Sequence, residues 1–94
     1  MAESKKIGVF LAYYKDNNLN PDEKRTLMQL ILESYNDYVE ESGYNDNYSN
    51  ELRDILQKEL ALYNDIIDDW SCGEEDLEDC FAITSFMRKI RKGE

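Results

Sequence analysis

The chain has 94 residues, of which 41% are hydrophobic and 34% are charged. A chain of this length builds one core, and its hydrophobic fraction is too high for an intrinsically disordered protein. The formal net charge of −10 excludes direct binding to nucleic acid or to an anionic membrane and favours a basic partner.

The negative charge is concentrated in the middle of the chain. Between Thr26 and Met87 there are sixteen carboxylates and two bases, Arg53 and Lys58, which gives this stretch a formal charge of −14. Most of the remaining bases lie toward the two ends. Such a field speeds the approach of a cationic partner by electrostatic steering.

The first predicted helix covers residues 5–16. Ser4 can act as its N-cap by accepting a hydrogen bond from the first turn. Apolar side chains recur with the helical spacing i, i+3, i+4, i+7 and are expected to face the core: Ile7, Phe10, Leu11 and Tyr14.

The second predicted helix covers residues 21–42. Asn20 is a preferred N-cap, Pro21 suits the first helical position, and Gly43 can take the left-handed conformation that ends a helix. The apolar stripe expected to face the core comprises Leu27, Leu30, Ile31, Ser34, Tyr35 and Tyr38.

A third helix is predicted over residues 50–70, since one face is apolar along its length: Leu52, Ile55, Leu56, Leu60, Tyr63, Ile66, Ile67 and Trp70. The segment from Ser71 to Glu74 has the form of a capping box, which predicts a fourth helix over residues 74–92. The side chains of this helix expected to point inward are Leu77, Cys80, Phe81, Thr84, Met87 and either Ile90 or Phe86.

These helices leave no segment with the alternation of a strand, and short connections join them. Short connections place successive helices side by side in opposite directions. The predicted fold is therefore all-α, a small single-domain antiparallel four-helix bundle over residues 1–94.

Little in the sequence suggests catalysis. Histidine is absent, which removes the commonest general base and metal ligand. We expect no enzymatic activity, no cofactor and no bound metal.

The two cysteines are predicted to be reduced. Within one helix Cys72 and Cys80 would lie about 12 Å apart, too far for a disulfide. Cys80 is expected to pack in the core as a small hydrophobic side chain, and Cys72 to lie in a turn. No stretch reaches membrane-spanning length, and the apolar run of residues 7–14 has no signal-peptide cleavage site. A reducing cytoplasm is the expected location.

Two pairs of acidic residues at i, i+3 spacing, Glu51 with Asp54 and Glu75 with Glu78, could project from one helix face toward a magnesium ion. The two pairs resemble, in reversed order, the acidic motifs of all-α nucleotide pyrophosphohydrolases. This resemblance implies a magnesium-dependent nucleotide hydrolase as a third functional hypothesis.

The tripeptide Tyr-Asn-Asp occurs at residues 35–37, 44–46 and 63–65. The copies have no common period, which excludes a structural repeat. Tyr35 and Tyr63 are expected at the edge of the core, and Tyr44 in a loop where it can contact a partner. Tyrosines beside carboxylates supply the rigid contact area and flanking charge that protein interfaces favour.

Our leading hypothesis is an acidic inhibitor that occludes the basic, nucleic-acid-binding surface of a target protein. DNA mimics of phages, anti-restriction and anti-CRISPR proteins, and immunity proteins of nuclease toxins are analogous in size and charge. The residues expected to contact the target are Glu33, Asp37, Glu40, Glu41, Tyr44, Asp46, Tyr48, Asp54, Asp65, Asp68 and Asp69.

The alternative hypothesis is a self-associating structural or regulatory helical adaptor module. Exposed apolar residues at Val39, Trp70, Phe86 and Met87 would mark such a module. The basic segment of residues 88–92 could then pair with the acidic face of a second copy, so a homodimer is compatible with either hypothesis.

Overall fold

The computed structural model of the protein describes residues 7–72 and 80–93. Within these residues the chain forms five α-helices and no strand: α1 (Ile7–Asp16), α2 (Pro21–Ser42), α3 (Asp46–Lys58), α4 (Leu60–Trp70) and α5 (Thr84–Arg91). The all-α prediction is confirmed, whereas the antiparallel four-helix arrangement is not. None of the helices in the described part of the chain is both long enough and apolar enough to cross a bilayer.

The chain divides into two compact units, Met1–Tyr44 and Asn45–Glu94. The first unit contains α1 and α2, and the second contains α3, α4 and α5. Each unit has its own helix packing, between α1 and α2 in the first and mainly between α4 and α5 in the second. The single domain over residues 1–94 stays a prediction.

The core of the first unit uses one face of each of its two helices. From α1 come Ile7 and Leu11, which are buried as predicted, with Phe10 and Tyr14 half-buried beside them. The buried residues of α2 are Met28, Ile31, Leu32, Ser34 and Tyr35.

The core face of α2 is rotated from the predicted one. Met28 and Leu32 are completely buried, whereas Leu30 is 45% exposed and Leu27 is half-buried. The prediction that Leu30 lies in the core is therefore wrong. At 100° per residue the centre of the buried stripe lies near Tyr35, and Leu30 lies about 140° from it.

The N-terminus of α2 is capped as the sequence indicates, whereas Gly43 at the C-terminus combines a positive φ with a ψ of −178°, which is not the left-handed helical conformation predicted for it. Asn20 Oδ1 accepts a hydrogen bond from the Glu23 amide at 2.8 Å, and Glu23 Oε1 accepts one from the Asn20 amide at 3.2 Å. This reciprocal capping box satisfies two backbone N–H groups. Gly43 has a φ of 82° and donates its N–H to the Val39 carbonyl at 2.8 Å.

The predicted third helix is two helices. α3 begins at Asp46, four residues early, because Asn45 Oδ1 caps it by accepting from the Tyr48 amide at 3.1 Å. The break falls at Glu59, whose N–H bonds to Ile55 while its carbonyl accepts from the next turn. Leu60, expected in the core, is 41% exposed as a result. No glycine or proline near Glu59 marks this break in the sequence.

Two side chains of α5 donate hydrogen bonds to backbone carbonyls at the end of α4. Thr84 Oγ1 donates to the Trp70 carbonyl at 2.9 Å and accepts from the Phe81 amide at 3.0 Å. Arg88 Nε donates to the Ser71 carbonyl at 2.8 Å. The Trp70 and Phe81 rings lie 4.5 Å apart between centroids. These contacts fix the start of α5 against the end of α4.

The predicted fourth helix differs in its described part. Residues 80–83 are not helical and α5 begins at Thr84, while residues 73–79 lie outside the described residues. Ser71 ends α4, and its N–H and its hydroxyl both donate to the Ile67 carbonyl; the predicted capping box of residues 71–74 reaches outside the described residues. Thr84, Phe86, Met87 and Ile90 are buried, but Phe81 is 45% exposed, so its predicted inward position is wrong.

Cys72 and Cys80 form a disulfide with their Cα atoms 5.9 Å apart. The prediction of two reduced cysteines is wrong because they do not share a helix: Cys72 follows α4 with a φ of 61°, and Cys80 precedes α5. Both are half-buried, so the prediction that Cys80 packs in the core is also wrong. The disulfide joins the two helices that pack most extensively in the second unit.

Replacement of Asn20 by alanine is expected to lower the free energy of unfolding by about 1 kcal/mol, because it removes the oxygen that caps α2. Urea denaturation followed by circular dichroism measures this change. The control is Asn18→Ala, which alters an exposed asparagine in the loop before α2. Equal losses for the two variants would contradict the capping role.

Reduction of the disulfide is expected to lower the free energy of unfolding by about 2–3 kcal/mol, the loop-entropy value for a closed loop of about nine residues. The measurement compares urea midpoints with and without dithiothreitol. The control is the Cys72→Ser, Cys80→Ser double variant. Its urea midpoint should equal that of the reduced protein and should not change when dithiothreitol is added. An unchanged midpoint on reduction would count against a stabilising bond.

Candidate functional site

The outer face of α2 carries a row of carboxylates, which we call the α2 acidic face: Glu33, Asp37, Glu40 and Glu41. At 100° per residue all four lie on the side of the helix away from buried Tyr35. Glu33, Glu40 and Glu41 are exposed and Asp37 is half-buried. Neighbours four residues apart lie about 6 Å from each other. The predicted row on one face of α2 is therefore present.

Three of the carboxylates of this face, Glu33, Asp37 and Glu40, have no ion pair within the described residues. The bases of α2, Lys24 and Arg25, lie in its first turns and are half-buried. Like charges four residues apart destabilise a helix by about 0.2–0.5 kcal/mol per pair. The α2 acidic face thus lowers the stability of the helix that carries it.

The second unit holds the other carboxylates predicted to contact a partner, which we call the second-unit carboxylates: Asp46, Asp54, Asp65, Asp68 and Asp69. All five are exposed. Asp46 lies in the first turn of α3, where the helix dipole favours a negative charge. Asp46 therefore stabilises the start of α3, in addition to its predicted contact with a partner.

Two of the second-unit carboxylates already have basic partners. Asp54 pairs with Lys58 at 3.2 Å on the surface of α3. Asp68 pairs with Arg91 of α5 at 3.2 Å. The first pair has the i, i+4 spacing of a helical ion pair and can be predicted from the sequence. The second joins residues 23 positions apart and forms only because the fold brings α4 and α5 together. The second-unit carboxylates consequently present less uncompensated charge than the sequence suggests.

The two predicted tyrosine anchors differ in exposure. Tyr44 lies in the loop after α2, is 47% exposed, and packs edge-on against Tyr35 with ring centroids 6.3 Å apart. This contact holds the ring in place while half of its surface stays accessible. Tyr48, in the first turn of α3, is half-buried. Tyr35 and Tyr63 are completely buried, deeper than the core edge predicted for them.

A shallow apolar depression on α2 was not foreseen from the sequence. It has a volume of about 330 Å³ and is lined by Asp22, Glu23, Thr26, Leu27 and Leu30. The periodicity of α2 placed both leucines in the core, which hid them as surface residues. The signal that could have found them is the helical register, since Leu30 shares the side of Glu33 and Asp37.

The carboxylate pairs of the third hypothesis have different outcomes. Glu51 is half-buried on α3, and Asp54 is held by Lys58. Glu75 and Glu78 lie outside the described residues. In residues 7–72 and 80–93 there is no group of three or more acidic, cysteine or histidine side chains placed to hold a metal.

Neutralisation of three carboxylates of the α2 acidic face by Glu33→Gln, Asp37→Asn and Glu40→Gln is expected to raise the free energy of unfolding by about 0.4–1 kcal/mol. The gain comes from relief of two like-charge pairs, Glu33 with Asp37 at i, i+4 and Asp37 with Glu40 at i, i+3. The matched control is Asp54→Asn, which removes an exposed ion pair and should lower the free energy of unfolding by up to about 0.5 kcal/mol. Chemical denaturation at low salt measures both. A loss of stability in the α2 variant would show that the face stabilises the fold.

The first unit thus carries the α2 acidic face and the apolar depression. The second unit, described by itself, carries exposed carboxylates of which Asp54 and Asp68 are paired with bases. Comparison with protein families, with curated proteins and with solved structures gave no match.

Proposed function

We propose that the protein is an acidic inhibitor that binds a basic, nucleic-acid-binding surface of a target protein and blocks it. The observation that carries this proposal is the α2 acidic face, a row of carboxylates for which the described residues provide no ion pair at Glu33, Asp37 or Glu40. A row of like charges that lowers helix stability has a use when a partner neutralises it.

The spacing of these charges suits a surface that binds phosphates. From Glu33 to Glu41 the helix rises about 12 Å, and the successive axial steps between its four carboxylates are about 6, 4.5 and 1.5 Å, a mean of about 4 Å. The phosphates of one DNA strand follow each other at about 3.4 Å. Flexible lysine and arginine side chains arranged for that strand can reach carboxylates at this mean spacing by changing rotamer, and mutual attraction would speed their approach.

Tyr44 is the apolar anchor that accompanies this charge. Its ring is held by Tyr35 and remains half exposed, which matches the rigid aromatic contacts that dominate many interfaces. Tyr48 and the second-unit carboxylates are proposed as further contacts, with Asp54 and Asp68 the less available because they have basic partners.

The proposed targets are nucleases and other nucleic-acid-binding proteins, as for DNA mimics, anti-restriction and anti-CRISPR proteins, and nuclease-immunity proteins. A cytoplasmic place of action, in the host cell for a phage protein, follows from this target class. It does not follow from the cysteines, because they form a disulfide, and disulfides are uncommon in the cytosol.

A self-associating helical adaptor module remains the second candidate, carried by a different surface from the one expected. Trp70, Phe86 and Met87 are buried and Val39 is half-buried, so the expected apolar markers are not exposed. The outer side of α1 is exposed instead, with Val9 66% and Tyr13 52% accessible. Two apolar side chains one turn apart could meet the same pair in a second copy.

The test of the leading proposal is affinity capture of the tagged protein from lysate of its source cell, washed at 0.05 and 0.5 M salt. Retention of one nucleic-acid-binding protein, lost at high salt, is expected, since the Debye length falls roughly threefold over this range. The captured protein should lose its nucleic acid in competition with the inhibitor. The proposal would be contradicted if the target were retained equally at 0.05 and 0.5 M salt, or if only further copies of this chain were recovered.

Charge variants then locate the interface. The variant with Glu33, Asp37, Glu40 and Glu41 neutralised should lose the target, whereas neutralised Asp65 and Asp69 should weaken it less. A further control, Asp16→Asn, removes one exposed carboxylate of α1 that belongs to neither group, and it should bind normally. Equal retention by all the variants would show that these carboxylates do not bind the target.

A further inference from the structure

The depression on α2 interrupts an otherwise acidic surface. Leu30 is 45% exposed at its floor, Leu27 is half-buried beside it, and the carboxylates of Asp22 and Glu23 border it toward the start of the helix. Toward the other end the α2 acidic face begins at Glu33, one turn from Leu30. An apolar floor thus has carboxylates on both sides along one helix.

Packing within the first unit does not account for these two leucines. The helix buries Met28, Ile31, Leu32 and Tyr35 against the core, and each of these is completely inaccessible. Leu30 lies on the opposite side and leaves nearly half of its surface in water. A partner that covers this apolar area gains the free energy of removing it from water.

We propose that the depression receives an apolar side chain from a basic amphipathic helix of the target, and that the carboxylates on both sides pair with lysines or arginines of the same helix. This inference rests on the proposed function and specifies which structural element of the target is bound. Charge complementarity identifies the occupant, because the border is acidic at both ends: an acidic segment would be repelled, and a neutral one would gain no electrostatic attraction.

The spacing along α2 fixes the pattern that the partner helix must carry. Measured from Leu30, Glu33 lies about 4.5 Å along the axis, Asp37 about 10.5 Å, and Glu23 about 10.5 Å in the other direction. Two helices packed lengthwise, 8–10 Å apart between axes, bring such positions opposite each other. A partner helix parallel to α2 therefore needs a base about seven residues before its apolar residue, and further bases about three and seven residues after it; an antiparallel helix needs the reversed order.

Two synthetic helical peptides test this pattern. The first carries a central leucine with lysines at those positions on an alanine-rich background. The second has the same composition, but its leucine is moved to the opposite face of the helix. Fluorescence anisotropy at 0.05 M salt is expected to show tighter binding of the first peptide, by about tenfold, and loss of both complexes at 0.5 M salt.

Leu30→Ala is the decisive variant. It should weaken binding of the first peptide by about tenfold and leave the second peptide unaffected, since only the first peptide places its leucine over the depression. The matched control is Leu60→Ala, which truncates a leucine of similar exposure, 41%, at the start of α4, and should bind as the unchanged protein does. Circular dichroism and urea midpoints establish that both variants are folded.

The outcomes separate this inference from the proposed function. Salt-sensitive binding of both peptides that Leu30→Ala does not change would overturn the depression as a docking site and leave charge occlusion standing. Absence of any binding at low salt would contradict both. Sedimentation that shows a dimer dissociated by Leu30→Ala would assign the depression to a second copy of the chain and overturn the inference.

Discussion

The carboxylates of this protein have to stay in water, and the rest of the structure depends on that requirement. In the described residues every buried side chain is uncharged, and the polar ones among them are small: Ser34, Ser49, Ser71 and Thr84. An unpaired carboxylate in the core would cost more than the stability of a domain of this size. One side of each helix is therefore apolar, and the acidic side chains occupy the remainder.

Repulsion among the exposed carboxylates lowers the stability of the fold. In the second unit, contacts between the end of α4 and α5 offset part of this loss. The end of α4 is tied to α5 by the Cys72–Cys80 disulfide, by Thr84 bonded to the Trp70 carbonyl and by Arg88 bonded to the Ser71 carbonyl. The bases of α5 work in the same direction, since Arg91 reaches Asp68 of α4. In the described part of α2 no ion pair forms at Glu33, Asp37 or Glu40, so a partner could relieve the repulsion among these three carboxylates.

The sequence predicted features with a local cause and missed those set by distant parts of the chain. The capping of α2 by Asn20 and the outward position of Glu33 follow from neighbouring residues, and both predictions were confirmed. The pairing of Asp68 with Arg91 depends on how α4 meets α5. The disulfide was not predicted because the distance between Cys72 and Cys80 was calculated for one continuous helix. In such a helix the two cysteines would lie too far apart to form a disulfide. Leu30 was misplaced because two stripes fit the periodicity of α2, and packing against α1 selects between them.

Charge and apolar area have different roles at a surface of this kind. Long-range attraction raises the rate of encounter and is shared by every basic protein, so it distinguishes poorly between them. Contact with an apolar floor acts only after encounter and mainly prolongs the complex. A face with carboxylates alone would bind many cationic proteins weakly, whereas Leu27 and Leu30 between carboxylates add a requirement on shape and spacing that few of them meet. The two leucines thus turn general attraction for positive charge into selection of a particular helix.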